Sequence, residues 1–405
     1  MSIQAQALEG ASTAEMIRQA DSSLMYIVTR PNIVFTRGKG SYLWDADGRK
    51  YLDFIQGWAV NSLGHSPPAL VRAINRQAKA LINGSPAFYN EPMIRASRLL
   101  TENSCLDRVF FANSGAEANE GAIKLARKVG AIKRNGAYEV ITTHNSFHGR
   151  TLAMMSASGK AAWAPLFEPK VPGFVKVPFN DLNAMRLAVN SKTCAIMVEP
   201  VQGESGVFVA RERYMKGLRE LCDQEGILLI LDEIQTGIGR TGTLFAYEQY
   251  GIEPDIMTLG KGLGGGFPVS ALLAKEGVSV FEAGDQGGTF CGQPLAMAAM
   301  AAVLEEMIRK KIPKRAKSRG NRLRRGLKAM GQEFDFTEIR GKGLLIAVDL
   351  PADKAVAAVE LALEKGLLIN APRPSTLRFM PALNISNAEI DEMLAILAEV
   401  LRKVL

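Results

Sequence analysis

Histidine and cysteine are scarce in this chain of 405 residues, which has 3 of the first and 4 of the second. The cysteines, Cys105, Cys194, Cys222 and Cys291, stand far apart and fit no metal-ligand spacing, so reduced thiols and no bound metal are expected. Long apolar runs are also missing. None approaches the ~20 residues that span a bilayer, and the N-terminus lacks the basic-then-apolar layout of a secretory signal. These absences point to a cytoplasmic protein with no membrane partner.

Aromatic residues are absent where positive charge is densest. Between Arg309 and Lys328 there are eleven Lys or Arg and no acid. Without interleaved aromatics this stretch reads as an amphipathic helix, broken near Pro313 and Gly320, with a solvated basic face over Ile312, Leu323 and Leu327. Nucleic-acid binding is the weaker reading of it. The net charge of +8 suits the steering of anionic substrates instead.

What is present is enough to bury large cores, with 47% hydrophobic residues in a chain long enough for two or more structural units. The stretch from Gly226 to Gly266 organises the rest. Ile227-Leu228-Leu229-Ile230-Leu231 has the length and unbroken character of a strand buried on both faces, and it ends on Asp232-Glu233. A carboxylate at the carboxyl end of such a strand sits where open α/β sheets place their ligands; the competing reading of Asp232 is an acid on a surface loop.

A second apolar segment, Asp255 to Leu259, runs into Gly260-Lys261-Gly262-Leu263-Gly264-Gly265-Gly266, one lysine among five glycines. A permissive backbone of this kind lets Lys261 approach a bound group closely. Lysine amines form Schiff bases with carbonyls, and enzymes that use pyridoxal 5'-phosphate pair such a lysine with an acid at the pyridinium nitrogen. The rival is a phosphate loop, but the pattern GxxxxGK[ST] is absent because Lys261 is followed by Gly262.

The segments Leu231-Asp232-Glu233-Ile234-Gln235-Thr236-Gly237 and Gly260 to Gly266 resemble the class III aminotransferases, the ornithine and 4-aminobutyrate type. The resemblance runs from about Tyr26 to the C-terminus, with separated motifs agreeing in order and spacing. It implies a pyridoxal-phosphate-dependent transferase of fold type I, an α/β protein. A large domain would carry a mostly parallel central sheet, and a smaller α/β domain would be built from the N- and C-terminal parts. The boundaries expected are 1–63 and 296–405 for the smaller domain and 64–295 for the larger.

Other segments have a bland reading and one that the resemblance supplies. Val34 to Phe54 suggests strands turned at Asp47-Gly48, and Gln56 to His65 looks like the mouth of a substrate channel, with His65 better read as a packing or hydrogen-bonding residue. The turn-rich, aromatic segment Asn83 to Asn90 would by similarity reach a neighbouring subunit's site. After a strand at Arg108 to Ala112, Ser114 and Glu117 have the spacing of a capping box. The residues alone favour a plain capped helix; the resemblance implies that Ser114, Gly115 and Ala116 hold the cofactor phosphate at the helix N-terminus.

Phe147 and Arg150, otherwise core and surface, become by resemblance a ring-stacking residue and a binder of substrate carboxylate. The strand Cys194 to Val198 ends on Glu199 and, five residues on, Glu204. A glycosidase-type acid and base pair has no other support. Glu204 instead matches a gating glutamate that pairs with an arginine until a dicarboxylate displaces it, and Glu199 is read as structural. Thr289 matches a threonine sent to the partner's cofactor phosphate in a homodimer with shared active sites. Gly288, Cys291 and Gln293 depart from the usual pattern of that loop, so its substrate contacts, at Gly288 among them, are less secure. Arg378, on a strand at Thr376 to Met380, matches the arginine for the α-carboxylate of 2-oxoglutarate. Its bland reading is a charged residue at a sheet edge. Ser386 to Leu405 reads as a helix capped by Ser386 and Glu389.

The expected chemistry is transamination. Lys261 would bind the cofactor aldehyde and move the proton, and Asp232 would keep the ring nitrogen protonated. Glu233, Ile234 and Gln235 would complete the cofactor site, with Ile234 packing opposite Phe147 and Gln235 bonding the phenolic oxygen. Within the class the likeness is to the branch whose donor is N2-acetylornithine, whose ω-amino group passes to 2-oxoglutarate in arginine biosynthesis. Succinylornithine, ornithine, 4-aminobutyrate and N-succinyl-diaminopimelate are the alternative donors. A basic nucleic-acid-binding protein using the Arg309 to Lys328 face is the non-enzyme alternative.

Overall fold

A computed structural model describes residues 11–405. The expectation of no ordered fold over residues 1 to about 20 lies partly outside the described residues. From Thr13 to Ser23 it is replaced by a helix, started by a capping box between Ser12 and Glu15.

The N-terminal strands are β1 (Phe35–Lys39), β2 (Tyr42–Asp45) and β3 (Lys50–Asp53), antiparallel and turned where Gly48 takes a left-handed φ of 82°. In the middle of the chain come β4 (Arg108–Ala112), β5 (Glu139–Thr143), β6 (Phe174–Val177), β7 (Thr193–Val198) and the short pair β8 (Val201–Gln202) and β9 (Phe208–Val209). They are followed by β10 (Leu228–Asp232), β11 (Ile256–Leu259) and β12 (Ser270–Ala274). The C-terminal strands are β13 (Glu338–Lys342), β14 (Leu345–Asp349), β15 (Leu367–Leu368), β16 (Asn370–Arg373) and β17 (Thr376–Phe379).

The seven-stranded sheet has the order β4-β12-β11-β10-β7-β5-β6. Only β12 runs antiparallel to its neighbours, so the expected mostly parallel sheet is present with one strand reversed. Its middle strands β7, β10 and β11 are buried along their whole length because both faces are covered. Leu228 and Ile230 pack with Ala122, Ile123 and Ala126 of the helix Gly115–Lys133, whereas Leu229 and Leu231 pack with Met215, Leu218 and Leu221 of the helix Glu212–Glu225. This is the two-residue alternation of a strand. Each Leu or Ile buried this way adds about 1.5–3 kcal/mol.

Two four-stranded sheets complete the fold, β13-β14-β17-β16 and β1-β2-β3-β15. The second joins the two ends of the chain, since β15 pairs in parallel with β3.

The basic stretch departs from expectation. A helix Ile312–Phe334 runs unbroken through Gly320, and Pro313 stands in its first turn, where no backbone donor is needed. Gly320 is there for close approach, because a Cβ at that position would overlap the carbonyl of Gly343. Ile312, Leu323 and Leu327 are buried beneath the basic face, as the amphipathic pattern requires.

Candidate active site

The carboxyl ends of β4, β5, β7, β10 and β11 converge on a cavity of about 150 Å³ lined by Gly115, Ala116, Phe147, His148, Gly149, Glu199, Glu204, Asp232, Ile234, Gln235 and Lys261. This is where an open α/β sheet places its ligands.

After β4, Ser114 caps the helix Gly115–Lys133, its Oγ accepting from the Glu117 amide at 3.3 Å while Glu117 returns a bond to the Ser114 amide. The cap aims the helix N-terminus at the cavity, with Gly115 and Ala116 in the wall and Ser114 exposed behind them. A side chain at residue 115 would meet Ile234, whose Cδ1 stands 2.7 Å from where a Cβ would lie.

Asp232 is 4% exposed and held on three sides. Its Oδ2 accepts from Asn119 Nδ2 at 2.8 Å and faces His148 Nδ1 at 2.8 Å, and its Oδ1 accepts from the Ile234 amide at 3.1 Å. Asn119 is fixed in turn by Thr258 on β11, which donates to its Oδ1 at 2.7 Å. The next residue points the other way. Glu233, expected at the cofactor, is fully buried with its carboxylate accepting from the amides of Ala246 and Tyr247 at 2.6 and 2.8 Å. Successive side chains at a strand end face opposite sides, so the Glu233 carboxylate is turned away from the cavity that Asp232 lines. Burial pushes its carboxyl up to about 7.

Lys261 has a left-handed φ of 42°, strained for a residue with a Cβ, in the turn after β11. Its Nζ lies 6.0 Å from the centroid of Phe147. Burial lowers its pKa, against the charges of Glu204, Asp232 and Glu199. Phe147 is itself held by its amide, which donates to Glu199 Oε1 at 2.9 Å. Burial and the Asp232 charge push the Glu199 carboxyl well above its usual range. Glu199 thus lines the cavity and positions Phe147.

Arg378 is 1% exposed, so it is no sheet-edge residue. Its Nη1 donates to Glu204 Oε1 at 2.9 Å and to the Gly203 carbonyl at 2.6 Å, and its Nε donates to Asn370 Oδ1 at 2.9 Å. Burial alone would raise the Glu204 carboxyl, but the Arg378 and Lys261 charges outweigh it and hold it at about 2. Trp58, in the segment expected at the channel mouth, lies 5.6 Å from the Arg378 guanidinium. His65 pairs with Asp53 at 2.8 Å, away from the cavity.

Arg150 is exposed beside Trp163, at 5.4 Å. Gly288 and Thr289 do not reach this cavity. Gly288 lines a separate one of about 760 Å³ together with Pro86, Ala87, Tyr89 and Cys291, and Thr289 is exposed. His148 and Asn119 were legible only as letters in longer motifs. One signal could have raised His148: a histidine is rare here, and this one stands beside the expected stacking residue.

These groups fit pyridoxal 5'-phosphate. They supply an amine, a buried carboxylate for a ring nitrogen, an aromatic side chain and an aliphatic one for the ring faces, and helix-terminal amides for a phosphate. Gln235 Oε1 is buried without a hydrogen-bond partner among the described residues, as a group awaiting a ligand would be.

Fold and site together define a pyridoxal-phosphate-dependent aminotransferase. Residues 26–401 match the family aminotransferase class-III, and the chain belongs to it. A protein of Bordetella pertussis named acetylornithine aminotransferase 2 is 54% identical over 376 residues, covering 92% of this chain and 95% of its own length. Among solved structures, the ornithine aminotransferase of Toxoplasma gondii superposes with a TM-score of 0.94 at 34% identity, covering 98% of this chain and 96% of that one. The acetylornithine aminotransferase of Elizabethkingia anophelis gives a TM-score of 0.86 at 33% identity, covering 96% and 99%. Among the described residues, no helix is long and apolar enough to cross a membrane.

Proposed function

We propose that this aminotransferase moves the ω-amino group of N2-acetylornithine to 2-oxoglutarate, giving N-acetylglutamate 5-semialdehyde and glutamate. The observation that carries the reading is the pair of buried Arg378 and half-buried Glu204 opening onto the cavity that Lys261 and Asp232 share. The relatives named for acetylornithine support the choice of donor.

Bound pyridoxal 5'-phosphate supplies an electron sink at the carbon carrying the amino group. Lys261 would anchor it, and its Nζ, once free, would take the proton from the donor carbon as base and deliver it to the cofactor as acid. Burial favours the neutral amine such a base needs. Asp232, oriented by His148 and Asn119, holds a proton at the ring nitrogen. Phe147 and Ile234 would confine the ring, Gln235 would bond the phenolic oxygen, and Ser114, Gly115 and Ala116 would take the phosphate. Arg150 holds the donor's carboxylate. A dicarboxylate acceptor displaces Glu204 and takes Arg378 with its second carboxylate, so one site serves two substrates of different charge.

Thr289, exposed and outside its own chain's cavity, serves the site of a second copy. A homodimer is supported by large apolar side chains left in water, Phe88, Tyr89 and Phe290, which are 70, 89 and 60% exposed. Gly288 contacts substrate from the same loop. The reading divides the chain at 63/64 and 295/296, which the β3–β15 pairing supports. It places the protein in the cytoplasm, where four free thiols are at home.

The test is a donor scan of the purified, cofactor-loaded protein without acceptor, following conversion of the bound cofactor to its amino form by absorbance. Fast conversion by N-acetylornithine and slow conversion by ornithine and 4-aminobutyrate is expected. Preference for another donor would overturn the substrate.

A further inference from the structure

Lys160 follows the short helix Leu152–Ala157, just outside the cavity. Its ammonium lies 5.1 Å from the ring centroid of Phe147 and 5.2 Å from that of Trp163, two rings 5.5 Å apart. It is half-buried, and among the described residues no carboxylate or other acceptor bonds it. Burial lowers its pKa, Glu204 and Glu199 oppose the shift, and Arg150 and Arg378 add to it. Lys160, both arginines and Glu204 are therefore within electrostatic reach of one another.

A lysine at a surface would extend into water. This one gives up part of its hydration, and contact with two rings returns only about 0.5–2 kcal/mol. The charges around it do not balance either. Glu204 is bonded to Arg378, and among the described residues no carboxylate forms an ion pair with Arg150 or Lys160, which share the Trp163 ring.

We infer that Lys160 is a substrate-binding residue, a second cation that joins Arg150 in holding the substrate carboxylate farthest from the reacting carbon. The inference rests on the aminotransferase reading above. A carboxylate has about four acceptor positions, enough for the planar fork of an arginine and the point charge of an ammonium together. The two rings hold the ammonium in place before substrate arrives, so little freedom is lost on binding. Donors without that carboxylate gain nothing from Lys160. Selectivity for a carboxylate-bearing donor thus comes from a residue outside the arginine pair.

The test is calorimetric titration of the cofactor-loaded protein with glutarate, a dicarboxylate that has neither an amino nor an oxo group to react. Loss of one charge-assisted contact predicts binding about tenfold weaker in Lys160→Gln, with most of it restored in Lys160→Arg. KM for N-acetylornithine and for 2-oxoglutarate is expected to rise more than kcat falls. A loss of glutarate affinity smaller than about fivefold, or an equal loss in Lys160→Arg, overturns the inference. Should the Gln variant not fold, Lys160→Met, which keeps the length and the ring contacts, replaces it in the same comparison. If the parent protein neither binds glutarate nor converts N-acetylornithine, it is the substrate reading that fails; if it does both and Lys160→Gln matches it, only the role of Lys160 fails.

Discussion

Nδ1 of His148 lies 2.8 Å from Oδ2 of Asp232, and both side chains are buried at the strand ends. The histidine follows β5 and the aspartate closes β10, so the contact spans 84 residues. With Asn119 on the same oxygen, it sets the direction in which Asp232 presents its carboxylate.

Removing that partner should loosen the cofactor without emptying the site. For His148→Leu, affinity for pyridoxal 5'-phosphate is expected to fall about tenfold or more, the worth of a buried bond to a charged group. Titration of the apoprotein followed by absorbance measures it, and parental affinity would show that the pair does not position Asp232.

Lys261→Ala should bring multiple turnover down by about 10²–10⁴-fold, the usual contribution of a positioned acid and base. Steady-state assay checks this. A variant that turned over at the parental rate would remove Lys261 from the chemistry.

Arg378→Ala is expected to slow the 2-oxoglutarate half-reaction more than the donor half-reaction, because only the dicarboxylate needs the arginine that Glu204 covers. The two are separated by single-turnover assays. Arg378→Lys keeps the charge but loses the fork, and should show the same asymmetry more weakly. Equal losses in both halves would make the residue structural.

The Glu204 carboxyl is held at about 2, below its ordinary 4.5. A depressed carboxyl stabilises the fold fully above its ordinary value and loses that contribution as pH falls toward the folded one. The gap corresponds to about 3 kcal/mol. The stability difference between parent and Glu204→Gln, from urea unfolding, should therefore shrink to roughly half between pH 6 and pH 3. A difference independent of pH would mean the ion pair contributes nothing to the fold.

Much of the scaffold could be read in the chain itself. The apolar run ending on Asp232, the Ser114 and Ser386 capping boxes and the turn at Gly48 all depend on neighbours a few residues apart. One local misreading, a break at Gly320, came from treating glycine as a breaker. Here it permits contact with Gly343, a residue on a different element.

The site was legible in part. Lys261, Asp232, Phe147, Ile234, Gln235 and the Arg378–Glu204 pair, expected from motifs, all stand at one cavity or open onto it. Glu233 does not, because adjacent positions at the end of β10 face opposite sides and nothing in the letters Asp-Glu says which side holds the ligand.

By itself, the sequence determined the elements, their caps and the residue types able to do amino-transfer chemistry, since these follow from local periodicity and side-chain chemistry. Only the tertiary structure decided that His148 and Asn119 hold Asp232, that Glu199 fixes Phe147, and that Lys160 stands unpaired among the described residues beside two rings. Those contacts depend on sheet order and on which face of each strand end looks into the cavity, relationships between residues far apart in the chain.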